Sequence, residues 1–176
     1  MYDDKERLTI SPNVFNASVS TVSQEISLFS GTIKENLTLW NPYVSDKDIV
    51  RACEDACLHD FIVKLPGQYD YMLTENGSNL SGGQRQRLEI AAALVNNPTL
   101  LVMDEATAAL DTITEKKIID NLRRRACSCV IVAHRLSTIR HADEIIYLDH
   151  GAIVERGSHK ELCALGGAYA DMIKDA

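Results

Sequence analysis

Two short, nearly all-apolar runs constrain this chain most. Thr99–Met103 and Ser128–Ala133 are each one strand long, and a stretch of helical pattern from Asp111 to about Arg125 separates them. A run that is apolar at successive positions predicts a strand covered on both faces. That in turn predicts a parallel sheet flanked by helices. The rest of the chain supports an α/β class by strand–helix alternation. Ser18–Val22 alternates polar and β-branched residues and reads as a strand, followed by a loop over Ser23–Ser30. Glu144–Leu148 and Ala152–Glu155 flank His150-Gly151, a hairpin signal. Leu136–Arg140, Ser158–Leu165 and Ala168–Lys174 read as helices.

One stretch interrupts the alternation. Thr32–Leu37 predicts a short helix with Thr32 as cap and Glu35 at the capping-box spacing. A second helix runs from the cap Ser45 to about Cys57, with Ile49, Ala52, Cys53, Ala56 and Cys57 on one face. His59–Leu65 is a third, ended by Pro66-Gly67. Gln68–Leu80 reads as loop, and a further helix opens at Ser81 and runs to about Asn96. The division expected is a helical subdomain over 32–97 and an α/β core portion over 98–176.

Composition excludes several classes. The 176 residues carry a formal net charge of −7, which argues against a dedicated nucleic-acid binder. The 45% apolar content suits a packed core. The longest apolar run, Ile90–Val95, is far too short to cross a bilayer, and Met1–Arg7 lacks the pattern of a signal peptide. The five cysteines have neither CxxC spacing nor a histidine partner, and they read as reduced, mostly buried thiols.

Two segments carry chemistry. Leu80-Ser81-Gly82-Gly83-Gln84 places a serine cap and two glycines at a helix N-terminus. Free N–H groups and the positive end of the helix dipole suit that position to a phosphate oxygen. A capped helix after a loop explains the pentapeptide equally well by itself. Leu100–Met103 then leads into Asp104-Glu105, two carboxylates at the end of an apolar strand. Ligands of α/β sheets bind at such strand ends. Asp104 has the oxygen donors Mg²⁺ takes, and Glu105 is placed to polarise a water attacking a γ-phosphate. Taken alone, such a pair is also a common solvated cap.

The order of these features along the chain resembles the ATP-binding-cassette (ABC) ATPases. Gln24 matches the Q-loop, residues 80–84 the signature motif, and Asp104-Glu105 the end of Walker B. Asp111 in Ala109-Leu110-Asp111 matches the D-loop, and His134 in AHRLST the switch histidine. The resemblance runs from about Ser18 to Lys174. It implies a P-loop NTPase fold of RecA-like ABC type, with an inserted helical subdomain, binding ATP and Mg²⁺. It implies that Glu105 is the general base, that His134 contacts the γ-phosphate, and that Gln24 senses the Mg²⁺ and the attacking water. Asp104 and Gln24 are the implied metal ligands, and Ser81, Gly82, Gly83, Gln84 and Asp111 the implied nucleotide contacts. Phe29–Leu37 and Thr74-Glu75-Asn76-Gly77 resemble exporter segments, and Glu35–Trp40 resembles the peptide and bacteriocin branch. Two positions depart from the exporter pattern: Ala92 stands where arginine is usual and Ala108 where serine is common.

None of the nine glycines precedes a lysine, so the phosphate loop G-x-x-x-x-G-K-[ST] has no match in these residues. The expectation is an N-terminally truncated domain that does not turn over ATP alone. Its intact form would be a membrane exporter of a peptide, working at the cytoplasmic face of the cell membrane. The implied partners are a second nucleotide-binding domain, arranged head to tail, and the transporter's own transmembrane domain. Apolar strand surface at Leu100–Met103 and Val130–Val132 is expected to be poorly covered and to favour self-association. The alternatives are a soluble ABC ATPase of nucleic-acid or translation processes and a non-catalytic interaction module.

Overall fold

The structure is a computed structural model that describes residues 10–125 and 127–174. The expectation at Met1–Arg7 therefore lies outside the described residues. The chain forms two compact units, one up to Val132 and the other from Ala133 onward.

The first unit begins with α1 (Pro12–Ser18), a helix the sequence reading lacks, followed by β1 (Val19–Val22). β2 (Gly31–Thr32) leads into α2 (Ile33–Thr38), where the Thr32–Glu35 capping box forms as the spacing predicts. α3 (Asp46–Asp55) starts at Ser45, whose side chain accepts the Asp48 N–H, and α4 (His59–Ile62) follows. The segment read as loop contains two 3₁₀ turns and β3 (Met72–Leu73), which pairs antiparallel with β2. Then come α5 (Gly82–Leu94), β4 (Leu100–Asp104), α6 (Thr112–Arg124) and β5 (Ser128–Val132).

The three longer strands form a parallel sheet in the order β1-β4-β5. α5 is the pivot of the core. It packs against α2, α3 and β1, and Leu88, Ile90, Ala91 and Leu94 are wholly buried. Each large apolar side chain enclosed this way contributes on the order of 1.5–3 kcal/mol. Apolar residues on most sides of α5, rather than one stripe, are what a central helix requires. On β4, Leu101 and Met103 are fully buried, and Leu100 and Val102 partly so.

β4 departs from the poor cover expected of Leu100–Met103, because α5 and the two flanking strands enclose it. β5 departs from burial on both faces, and Val130 and Val132, 53% and 49% exposed, have the exposure expected of them. An apolar run predicts cover on both faces, yet β5 is an outer strand of this sheet. The core of the first unit gathers over α5 and β4 and takes in only Ile131 from this strand. The cysteine reading is corrected in the same way. All five thiols are free, but only Cys53 is buried, and Cys129 lies exposed on β5. Burial pushes the Cys53 thiol up to about 12, so it is an inert core residue.

The second unit holds α7 (Leu136–Ile139), the hairpin β6 (Ile145–Asp149) and β7 (Ala152–Gly157), α8 (His159–Leu165) and α9 (Ala168–Lys174). His150 and Gly151 turn the hairpin with φ of 45° and 77°, the left-handed pair a tight two-residue loop needs. Its own small core is Ile145, Leu162 and Tyr169. The Tyr169 hydroxyl is 2.8 Å from His159 Nδ1.

Candidate functional site

Parallel register assembles the site. Val22 of β1 lies opposite Met103 of β4, so both strands end at the same edge of the sheet. Gln24 follows one end, and Asp104 and Glu105 the other. Across a sequence separation of 81, Gln24 Nε2 donates to Glu105 Oε2 at 3.2 Å. Asp104 closes β4 opposite Val132 of β5 and is exposed. The Glu105 N–H donates to the Val132 carbonyl at 2.9 Å.

Glu105 has φ of 49°, in the left-handed region. For a residue with a side chain such a conformation costs on the order of 1–3 kcal/mol and persists only where neighbours hold it. Here the Val132 carbonyl holds it on one side. On the other, the Glu105 carbonyl accepts from the Ala108 N–H at 3.0 Å and from Gln86 Nε2 at 3.4 Å.

The N-terminus of α5 forms the expected cap. The Ser81 N–H donates to Gln84 Oε1 at 2.8 Å, and Ser81 Oγ accepts the Gln84 N–H at 3.3 Å. At any helix start the first amides have no intrahelical acceptor, and here those are the N–H groups of Gly82 and Gly83. Gly83 lies close against the segment after Glu105, where an added Cβ would stand 3.2 Å from the Ala109 carbonyl oxygen. Asp111 caps α6, its Oδ1 accepting the N–H of Ile113 at 3.1 Å and of Thr114 at 2.9 Å. Hydrogen bonding from Thr114, side chain and backbone, holds the Asp111 carboxyl below the usual range.

Of the residues expected at a site, Gln24 and Glu105 are in direct contact, with Asp104 beside them. The Ser81–Gln84 turn packs through Gly83 on the segment that ends at Asp111. His134 comes two residues after β5 and belongs to the second unit. Gln24 turns its nitrogen to Glu105, so its Oε1 is the atom left for a cation. That oxygen and the Asp104 carboxylate are hard donors of the kind Mg²⁺ takes, an ion that needs only one or two protein oxygens beside water and phosphate. Among the described residues no three His, Cys, Asp or Glu side chains form a closed metal cage.

Two residues of α5 escaped the sequence reading. Gln86 is 4% exposed and uses both ends of its amide on the segment after β4. Gln86 stands between Arg85 and Arg87, and its place three residues after Gly83 and four before Ile90 was the available signal. Glu89 reaches the Ser23 hydroxyl and the Ser27 N–H in the loop that carries Gln24, and its Oε2 is buried without a hydrogen bond.

Comparison with known proteins agrees with this geometry. The family model described as ABC transporter matches residues 2–108. The ABC-type transporter kk1G of Curvularia clavata is 43% identical over 176 residues, covering 98% of this chain and 13% of that protein. Staphylococcus aureus proteins named as multidrug export ATP-binding/permease proteins are 48% identical over 153 residues, 86% of this chain and 26% of theirs. The solved structure of a bacterial Atm1-family ABC exporter with ATP bound matches with a TM-score of 0.85 at 42% identity, over 90% of this chain and 28% of that one. The fold is that of a P-loop NTPase, in the form of an ABC nucleotide-binding domain. The chain belongs to the ABC transporter family, and its Staphylococcus aureus relatives and the Atm1-family neighbour are exporters. It spans about a quarter or less of the length of each relative.

Proposed function

We propose that these residues are part of the ATP-hydrolysing domain of a membrane exporter. Glu105 accepts the proton of a water whose oxygen bonds to the γ-phosphorus of ATP. The bond from that phosphorus to the bridging oxygen breaks, and ADP leaves with the electron pair. Gln24 orients the Glu105 carboxylate and relays the state of the site to the helical segment. Asp104 and Gln24 hold Mg²⁺, which when bound neutralises charge on the phosphates. His134 contacts the γ-phosphate. Ser81, Gly82, Gly83 and Gln84 cover the γ-phosphate held by a second nucleotide-binding domain in a head-to-tail dimer, and Asp111 lies along that junction.

The observation that carries this reading is the 3.2 Å hydrogen bond from Gln24 to Glu105, made at the strand ends by parallel register. The Gln24 loop and the residues at 74–77 are the segments that meet the transporter's transmembrane domain, at the cytoplasmic face of the membrane. The exported substrate is a peptide, on the pattern of residues 35–40; the multidrug label belongs to the relatives. No nucleic acid is involved. Among the described residues no helix is long and apolar enough to cross a membrane.

These 176 residues alone do not turn over ATP, because they contain no Gly-Lys pair to grip the β- and γ-phosphates. Phosphate release tests both halves of the proposal. In the full-length transporter, Gln24→Ala and His134→Ala should each slow turnover by about tenfold or more; unchanged rates in both would remove the assignment. Glu105-dependent release by the isolated chain would overturn its inactivity.

A further inference from the structure

Gln86 is a buried polar side chain whose bonds end on the candidate base. The Ala109 N–H donates to Gln86 Oε1 at 2.8 Å, and Gln86 Nε2 donates to the Glu105 carbonyl at 3.4 Å. At 4% exposure the amide has no bulk water to fall back on, and a buried amide that loses its partners is costly. Both partners lie in the segment after β4, which opens at Glu105 with a left-handed φ of 49°. The Val132 carbonyl fixes the amide side of Glu105, and Gln86 holds the carbonyl side.

Gly83 strengthens the grip. It lies three residues before Gln86 and so on the same face of the helix. Without a Cβ it lets the Ala109 carbonyl approach, where a side chain would stand 3.2 Å away. One face of α5 therefore meets Ala109 twice, at its N–H through Gln86 and beside its carbonyl oxygen at Gly83. The segment so held begins at Glu105 and ends at the cap Asp111. A purely structural glutamine could spend its amide on any neighbouring backbone. This one ties the position of the signature helix to the backbone of the residue whose carboxylate accepts from Gln24.

We propose that Gln86 is a positioning residue: through the Glu105 carbonyl and the Ala109 N–H it holds the base and the Ala109–Asp111 segment in the geometry that hydrolysis requires. The inference rests on the reading of Glu105 as general base. It makes the signature helix serve its own domain's base as well as a nucleotide held elsewhere. A base displaced by about an ångström loses rate without losing substrate, so the effect belongs in kcat.

Two readouts on Gln86→Met, which keeps the volume and removes both bonds, test it. In the 176-residue chain, hydrogen exchange should show the Ala109 N–H losing its protection while the Leu88, Ile90 and Leu94 amides keep theirs. In the full-length transporter, kcat for ATP should fall on the order of 10–100-fold with KM unchanged. Gln86→Glu retains the acceptor for Ala109 and loses the donor to Glu105, so it should keep Ala109 protected and still lower kcat. The double variant Gln86→Met with Glu105→Gln should be no slower than Glu105→Gln alone. A Gln86→Met protein with wild-type kcat, or with raised KM and wild-type kcat, would overturn the proposal. So would an Ala109 amide in the wild-type chain that exchanges as fast as an open loop, a result independent of whether any variant folds. Wild-type kcat in Glu105→Gln would instead overturn the reading of the base.

Discussion

Glu89 shows how one side chain sets a pH dependence. Burial pushes its carboxyl up to about 7 from an ordinary 4.5, outweighing hydrogen bonds from the Ser23 hydroxyl and the Ser27 N–H, which lower it. The charges nearest along the chain are Arg87 and Arg85 on α5, and Glu25 lies in the facing loop. Between pH 4.5 and about 7 the folded chain keeps a proton that the unfolded chain releases. Stability contributed at this site is therefore fully present below 4.5 and is lost as pH rises to about 7. Urea unfolding should show Glu89→Gln matching the wild type in acid and exceeding it by roughly 1–2 kcal/mol at pH 8, the size left once partial exposure is screened. Parallel stability curves across that range would refute this account of Glu89. Neither Glu89 nor the left-handed turn at Glu105 was legible in the sequence. Carboxylates on a helix usually face water, and backbone strain at a non-glycine residue leaves no mark in composition. Asp104 and Glu105 stood out because an apolar strand pattern leads straight into them; Gln24 was named only through the resemblance to ABC ATPases, since a lone glutamine after a strand is usually a solvated loop residue.

At the level of elements, the N-terminus of α5 separates two neighbouring glycines. A Cβ on Gly82 would meet nothing closer than the Ala109 Cβ at 3.9 Å, whereas one on Gly83 would meet a backbone oxygen at 3.2 Å. That oxygen cannot retreat freely, because the Ala109 N–H is fixed by Gln86. Gly83→Ala should cost about 1–2 kcal/mol by crowding, and Gly82→Ala should fall within about 0.5 kcal/mol of the wild type. Thermal unfolding of the two variants distinguishes them, and equal midpoints would remove the close-packing argument. The capping boxes at Thr32–Glu35 and Ser81–Gln84 and the cap at Asp111 could be read from sequence because their partners are three residues apart or fewer. The β2–β3 pair could not, because each strand is two residues long and the pairing joins Gly31 to Leu73. β5 was misjudged for a related reason: an apolar run states a preference for burial and does not supply the neighbour.

At the scale of the molecule, each unit leaves apolar strand surface exposed. In the first it is Val130 and Val132; in the second it is Ile146, Leu148, Ile153 and Val154 of the hairpin. Such surface drives association. Sedimentation velocity on the 176-residue chain should therefore show a weight-average size that grows with concentration, and a concentration-independent monomer would refute this. The fold class was legible because strand and helix patterns alternate outside the helical stretch, and strands joined through helices rather than tight turns pair in parallel. The function rests on that same register, which brings a glutamine and a glutamate 81 residues apart to one edge of a sheet. The most direct test is ATP hydrolysis by the full-length transporter carrying Glu105→Gln. A general base contributes about 10²–10⁴-fold, so kcat should fall at least on the order of 100-fold with ATP affinity retained. A kcat within about twofold of the wild type would contradict the assignment of Glu105 and the site built around it.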